Sequence, residues 1–260
     1  MARFGVQMVK VGQGEIPGPE LLWLAAWDER FRLDFLVGVI RGDGVVALVN
    51  TGPAEDLTPM NDKWAQVLGE KSLMHRNAEW WILTQLERIG VQPEDVTHVI
   101  LTPLQLYTVS NVPRFRNAEI CVLKRGWIHY HTTHDHPHDD RWYCIPKDVL
   151  QYMTIDAWDN VRLLEDEDEV VPGIRTWFAG SHHRASLAVE VDSTAGTVVM
   201  TDAFFHYRNL DENHPIGVCE NMYEALAAHA RTRRVADIPV PLYDPLVLER
   251  HPDGVVAPAP

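Results

Sequence analysis

The chain carries thirteen histidines, and five fall in one short stretch: His129, His131, His134, His136 and His138. Imidazole binds Zn, Fe, Ni or Mn through a ring nitrogen and exchanges protons near neutral pH. Carboxylates alternate with the rings, at Asp135, Asp139 and Asp140. Three readings stand open for this cluster. It supplies ligands to a metal, it supplies a general acid or base, or it is a polar loop whose histidines cap helix ends and pair with those aspartates. A second pair, His182 and His183, precedes Arg184. Arginine's planar guanidinium suits two-pronged pairing with a carboxylate, either a substrate's or the protein's own. Cys121, Cys144 and Cys219 are too widely spaced for a disulfide framework or a metal knuckle. Cys121 lies in an apolar run and reads as core.

These groups need strands and helices to position them. Residues 34–40 and 45–50 are strand-like and flank Arg41-Gly-Asp-Gly44, a hairpin turn with the glycines such turns need. Residues 77–89 have helical spacing and end at Gly90. Residues 96–101 and 118–123 read as short buried strands, followed by strands at 161–164, 174–178, 187–191 and 198–201. A helix over about 220–231 and a last strand at 238–240 complete the pattern. The acidic run 165–169 reads as a solvated turn. Two passes of strands with helices predict an α+β architecture, two sheets packed face to face with helices outside. No linker divides the halves, so one domain over 1–260, with a core of about 34–250, is expected.

The formal net charge is −14. Such a surface repels phosphate backbones and anionic lipid, so nucleic-acid and membrane partners are not expected. The first residues lack the apolar stretch of a signal peptide, and no run approaches a bilayer span. A cytoplasmic protein is the expectation.

Several segments in order resemble the metallo-β-lactamase superfamily, specifically its lactonase and glyoxalase II-like branch. Strand 45–50 followed by Thr51-Gly-Pro53 is similar to that family's early strand–Asp-Thr-Gly turn. Residues 91–102 resemble the lead-in to its metal motif, and 117–125 the strand after it. Gly180-Ser-His-His-Arg-Ala-Ser186 resembles the turn carrying a metal-binding histidine. Residues 198–202 resemble the strand ending in the bridging aspartate, and 240–245 the late turn with the last histidine. The resemblance implies an αββα sandwich and a hydrolase built around two metal ions.

The family's metal loop, Thr-His-x-His-x-Asp-His, here reads Thr102-Pro-Leu-Gln-Leu-Tyr-Thr108. Pro103 has no donor atom, Gln105 offers a neutral amide, and Tyr107 and Thr108 stand where aspartate and histidine are expected. Tyr243 replaces the late histidine, and Asn50 the early aspartate. Of the usual ligand positions only His182 and Asp202 match. The expected pocket is therefore lined by Tyr107, His182, Asp202 and Tyr243 as catalytic groups, with Gln105 and Arg184 binding substrate. The cofactor is either none or one divalent transition metal, held by His182 and Asp202 with His131, His134 or His136. The expected function is a hydrolase-like or lyase-like enzyme on a small organic molecule with the dinuclear centre lost. The alternative is a non-catalytic ligand-binding protein that keeps the scaffold.

Overall fold

A computed structural model describes residues 4–132 and 144–260. Its strands in chain order are β1 (Gly5–Pro17), β2 (Arg30–Gly42), β3 (Val45–Val49), β4 (His98–Ile100), β5 (Glu119–Leu123) and β6 (Val161–Leu164). β7 (Glu167–Val171), β8 (Ile174–Phe178), β9 (Leu187–Ser193), β10 (Gly196–Thr201), β11 (Ile238–Pro241) and β12 (Val255–Ala257) follow. One mixed sheet has the order β12-β1-β2-β3-β4-β5-β6, the other β11-β10-β9-β8-β7. In the first, β1 to β3 pair antiparallel and β3 to β6 parallel. In the second, only β10 and β11 run parallel.

Alternation drives the two sheets together. On β9, Val189 and Val191 point into the core between the sheets, while Ala188 points out beneath the helix Met222–Val235. The sheets approach closely at Gly38 on β2, where an added Cβ would lie 2.7 Å from the sulfur of Met200 on β10. Helices Ile82–Arg88 and Lys124–His131 lie against the seven-stranded sheet, and Met222–Val235 covers the five-stranded one. This is the two-sheet architecture with flanking helices expected from the sequence. The hairpin turn is also as read: Asp43 and Gly44 both have positive φ, at 49° and 75°, as such a tight turn requires.

Three elements differ. β1 lies outside the expected core of 34–250, yet it pairs with β2 along its whole length. Of the acidic run, Glu165 and Asp166 stay outside the sheet, but Glu167–Glu169 open the edge strand β7, where Arg162 bonds Asp168 and Arg231 pairs with Glu167. The helix expected over 77–89 is broken. Ala78–Trp80 is one tight turn, Trp81 is extended, and the α-helix starts at Ile82. Here the tryptophans meet cations: Lys10 lies over Trp80 at 3.9 Å and Arg76 over Trp81 at 4.8 Å, contacts that hold both rings off the helix face.

Candidate active site

The loop after β4 is held by the uncharged side chains of Asn50, Thr102 and Thr108, and Thr102 also donates to the Asp202 carboxylate. Asn50 donates through Nδ2 to the Thr102 carbonyl at 2.7 Å and accepts from the Thr102 amide at 2.8 Å. An amide side chain can satisfy both sides of a peptide group, and a carboxylate can only accept. Asn50 also has a φ of 72°, a conformation asparagine tolerates better than most residues. Further along, Thr108 donates to the Pro103 carbonyl at 2.6 Å and accepts from the Gln105 amide at 3.0 Å, closing the first turn of the helix Leu106–Val109. The loop's shape thus aims Tyr107 and Gln105 at the second sheet.

That sheet answers with the turn after β8. Gly180 and Ser181 both have positive φ, at 56° and 67°, and a Cβ on Gly180 would sit 2.2 Å from a Glu224 carboxylate oxygen. The turn presents His182, whose Nδ1 lies 2.8 Å from the Val218 carbonyl. A carbonyl only accepts, so the neutral ring carries its proton on Nδ1 and offers its lone pair at Nε2. The Tyr107 hydroxyl lies 3.2 Å from Nε2 and donates to it. Burial raises the Tyr107 pKa far above the usual phenol value, and the Asp202 charge adds to it. The adjacent His183 is different. Its Nδ1 accepts from the Ala185 amide at 3.1 Å, which leaves Nε2–H facing the Cys144 sulfur at 3.8 Å. Burial, then the nearness of His182, His129 and Arg184, lowers its pKa to about 3. It is a fixed neutral ring.

Asp202 directly follows β10 and is fully buried. Thr102 donates to one carboxylate oxygen at 2.6 Å and Ser186 to the other at 2.5 Å. Burial raises its pKa, while the nearby His182 and the two hydroxyls pull it down. Asp202 does not line the cavity. It supports from behind, rather than pairing directly with His182 or Tyr243.

Between the sheets' edges lies a cavity of about 150 Å³, whose lining includes Gln105, Tyr107, His182 and Tyr243. Its wall is a run of aromatic rings in contact. Phe35 meets Trp64 at 6.0 Å and Tyr107 at 5.2 Å, Tyr107 meets Tyr243 at 6.0 Å, and Phe205 bridges Tyr243 at 4.7 Å to His182 at 5.0 Å. Tyr243 is buried, and its hydroxyl lies near that of Tyr107 without making a hydrogen bond of ordinary geometry. Burial holds its pKa well above that of an ordinary phenol, and Tyr107 and Asp202 reinforce the shift. Two carboxylates, Glu15 and Glu20, also line the cavity.

The remaining expected site residues fall elsewhere. Arg184 pairs with Glu220 at 2.8 Å and Glu224 at 2.9 Å and is absent from the cavity lining, so it anchors the turn to the following helix instead of meeting a ligand. His131 is exposed on the helix Lys124–His131, its ring against Trp127 at 4.5 Å, and does not join His182 and Asp202. His134 and His136 lie outside the described residues. Among the described residues, no group of three or more His, Cys, Asp or Glu side chains is placed to hold a metal ion. Sequence reasoning missed Glu20, Phe35, Trp64 and Phe205. The uncharged run at 21–27, beside Glu20, was the one available signal, a carboxylate adjoining apolar sequence.

Solved structures share the two-sheet fold. An N-acyl homoserine lactone hydrolase with N-hexanoyl-L-homoserine bound at its catalytic metal centre superposes with a TM-score of 0.79 at 18% identity, covering 96% of this chain and 97% of that one. The chain has the metallo-β-lactamase fold. A probable metal-dependent hydrolase from Staphylococcus aureus shares the metallo-β-lactamase fold at a TM-score of 0.74 and 14% identity, over 93% of this chain and 89% of that one. A dizinc quorum-quenching lactonase matches at 0.65 and 11% identity, over 93% and 88%. By sequence, an N-acyl homoserine lactonase of Bacillus cereus is 22% identical over 171 residues, 65% of this chain, and the match spans 63% of that relative's length. No family model matches. In this metallo-β-lactamase fold no helix among the described residues is long and apolar enough to cross a membrane.

Proposed function

We propose that this chain is a hydrolase of small esters or lactones in which His182 and Tyr243 work on the carbonyl in place of a dinuclear metal centre. The observation that carries the reading is the set of three groups converging on one cavity: a tautomer-fixed imidazole, a phenol already donating to it, and a second buried phenol without a hydrogen bond of ordinary geometry. The similarity to lactonases supports the substrate class.

Among the described residues, the donor set does not fit two zinc ions. Such a centre needs imidazole or anionic ligands throughout. Here Pro103 offers none, and the Thr108 hydroxyl closes a helix turn. Tyr107 and Tyr243 are held protonated by burial. Both Asp202 oxygens are taken by hydroxyl donors. No step is therefore routed through a metal, and fewer than two equivalents of transition metal per chain are expected.

In the proposed step, His182 Nε2 takes a proton from water as the water oxygen bonds to the carbonyl carbon. The carbonyl electron pair moves onto oxygen, where the Tyr243 hydroxyl donates a hydrogen bond. Tyr107, which fills the Nε2 lone pair before a ligand enters, transfers its hydrogen bond to the same oxygen as charge develops there. Collapse restores the carbonyl and breaks the bond to the alkoxide, which receives the proton held on Nε2. Ester and water become acid and alcohol.

A second reading, ligand binding without turnover, is favoured by one observation: Tyr107 already occupies the lone pair a base would use. The test is a panel of neutral esters and lactones, assayed after chelation, with His182→Ala and Tyr243→Phe beside the parent. Turnover that survives chelation and is lost in His182→Ala supports the hydrolase. Binding with no turnover of any member supports the second reading, and turnover abolished by chelation would overturn the metal-free chemistry.

A further inference from the structure

The cavity's charge is one-sided. Among the described residues no lysine or arginine lines it, while Glu15 and Glu20 do. Glu15 already has a counter-ion: Arg30 reaches it at 3.3 Å and donates its other arm to Ser72 at 2.8 Å. The Glu20 carboxylate makes no hydrogen bond or ion pair with a described residue, although it is half-buried. Burial raises its pKa, and the more distant Arg30 only partly offsets this. A carboxylate removed from water and left without a partner gains from any cation that reaches it.

Glu20 and His182 are tied to one another through the backbone. The Glu20 carbonyl accepts from the amides of Gly217 at 2.8 Å and Val218 at 3.0 Å. The Val218 carbonyl in turn accepts from His182 Nδ1 at 2.8 Å. The carboxylate and the imidazole therefore sit on adjoining parts of one wall. Aromatic rings line the same cavity, and their π-electron faces attract organic cations and tolerate apolar carbon. The Tyr243 hydroxyl, buried in the same wall without a hydrogen bond of ordinary geometry, calls for an acceptor atom on the ligand.

We propose that the cavity takes a ligand bearing a protonated amine, with its ammonium against Glu20, its apolar body along the Phe35, Trp64 and Phe205 rings, and an acceptor oxygen at Tyr243. Combined with the hydrolase reading, on which this part alone rests, the substrate class becomes amino-substituted esters or lactones. A free carboxylate on the ligand is disfavoured, because Glu15 and Glu20 repel it and Arg184 is held by Glu220 and Glu224.

Binding is measured by calorimetry on the full chain with three probes that share one apolar body: hexylammonium, hexanol and hexanoate. Hexylammonium is expected to bind about tenfold more tightly than hexanol, a typical margin for a cation in a desolvated aromatic site, with hexanoate weakest. Glu20→Gln should bring hexylammonium to about the affinity of hexanol, by the same removal of charge, and leave hexanol unchanged. Equal or weaker binding of the cation, or a preference that survives Glu20→Gln, overturns the proposal. Turnover is read separately, as kcat/KM for an amino ester against its N-acetylated form. Cation-selective binding with no turnover of either ester keeps the ammonium site and removes the hydrolase reading. Turnover without preference for the amine keeps the hydrolase and removes the ammonium site.

Discussion

The 101–109 loop and the 180–186 turn face each other across one cavity, and they are held by opposite means. The loop, from the seven-stranded sheet, contains no ionised side chain. Asn50, Thr102 and Thr108 fix it through amide and hydroxyl bonds to backbone groups. The five-stranded sheet's side carries His182 and His183 on the turn and Asp202 just after β10, and each has its own partner: a carbonyl, a backbone amide and two hydroxyls, one of them from Thr102 of the loop. The comparison teaches that one wall supplies shape and the other supplies proton chemistry. A wall without charge needs no counter-charge facing it, which is why a tyrosine can sit where the resemblance implied an anionic ligand.

If the chemistry does lie on the second wall, His182→Ala should lower kcat/KM by about 10²–10⁴, the range for a positioned general base. Tyr107→Phe, on the first wall, should lower it by only about tenfold, as for loss of one shared donor. Equal losses in steady-state assays would erase the distinction.

The second wall should also be the acid-sensitive one. His183 titrates at about 3 in the folded chain against an ordinary value of 6.5. Between those values the unfolded chain binds the extra proton, so stability is full above about pH 6.5 and falls as the pH drops toward 3. The loss reaches at most about 5 kcal/mol by linkage. Urea midpoints measured from pH 7 to pH 4 should decline, and His183→Gln should flatten that decline. An unchanged slope would show that the ring is not held neutral.

For the first wall, the sharpest probe is Asn50→Asp. The carboxylate cannot donate to the Thr102 carbonyl and would be buried against it, at a cost of about 3 kcal/mol for a buried charge left badly paired. Chemical denaturation at pH 7 reads this directly. A neutral outcome would mean the loop does not depend on an uncharged clamp.

The smallest expected effect is at Arg184. Its two ion pairs are partly exposed, with 26% of the side chain accessible, so Arg184→Ala should cost no more than about 1 kcal/mol and leave KM unchanged. A large rise in KM would return Arg184 to the ligand.

Much of this arrangement was readable from sequence, for physical reasons that also explain the gaps. Strand β9 alternates apolar and polar residues over Val189–Asp192, and the turn at Arg41–Gly44 carries its own conformational signal. β1 hides because Lys10, Gly12 and Gly14 interrupt its pattern, and a strand with glycines reads weakly until its partner is known. The helix expected at 77–89 failed because Trp80 and Trp81 find cations on other elements, which no local pattern encodes. In the site, Tyr107, His182 and Tyr243 were reached through resemblance of their flanking segments. Glu20, Phe35 and Trp64 were not, since their shared cavity exists only through contacts between distant elements.

β1 carries a consequence for how the chain reaches this state. It contributes Gly14, Glu15 and Ile16 to the cavity and pairs with both β2 and β12. The Gln7 side chain bonds the Asp253 carbonyl, 246 residues away. A pairing over that span is a non-local contact, the kind that slows folding. The cavity mouth thus borders a strand whose outer partner arrives only from the far end of the chain. Until β12 docks, the outer edge of β1 offers unpaired backbone groups to any neighbouring strand. Truncation at the C-terminal side should therefore first be felt as aggregation during synthesis, before any loss at the catalytic groups themselves.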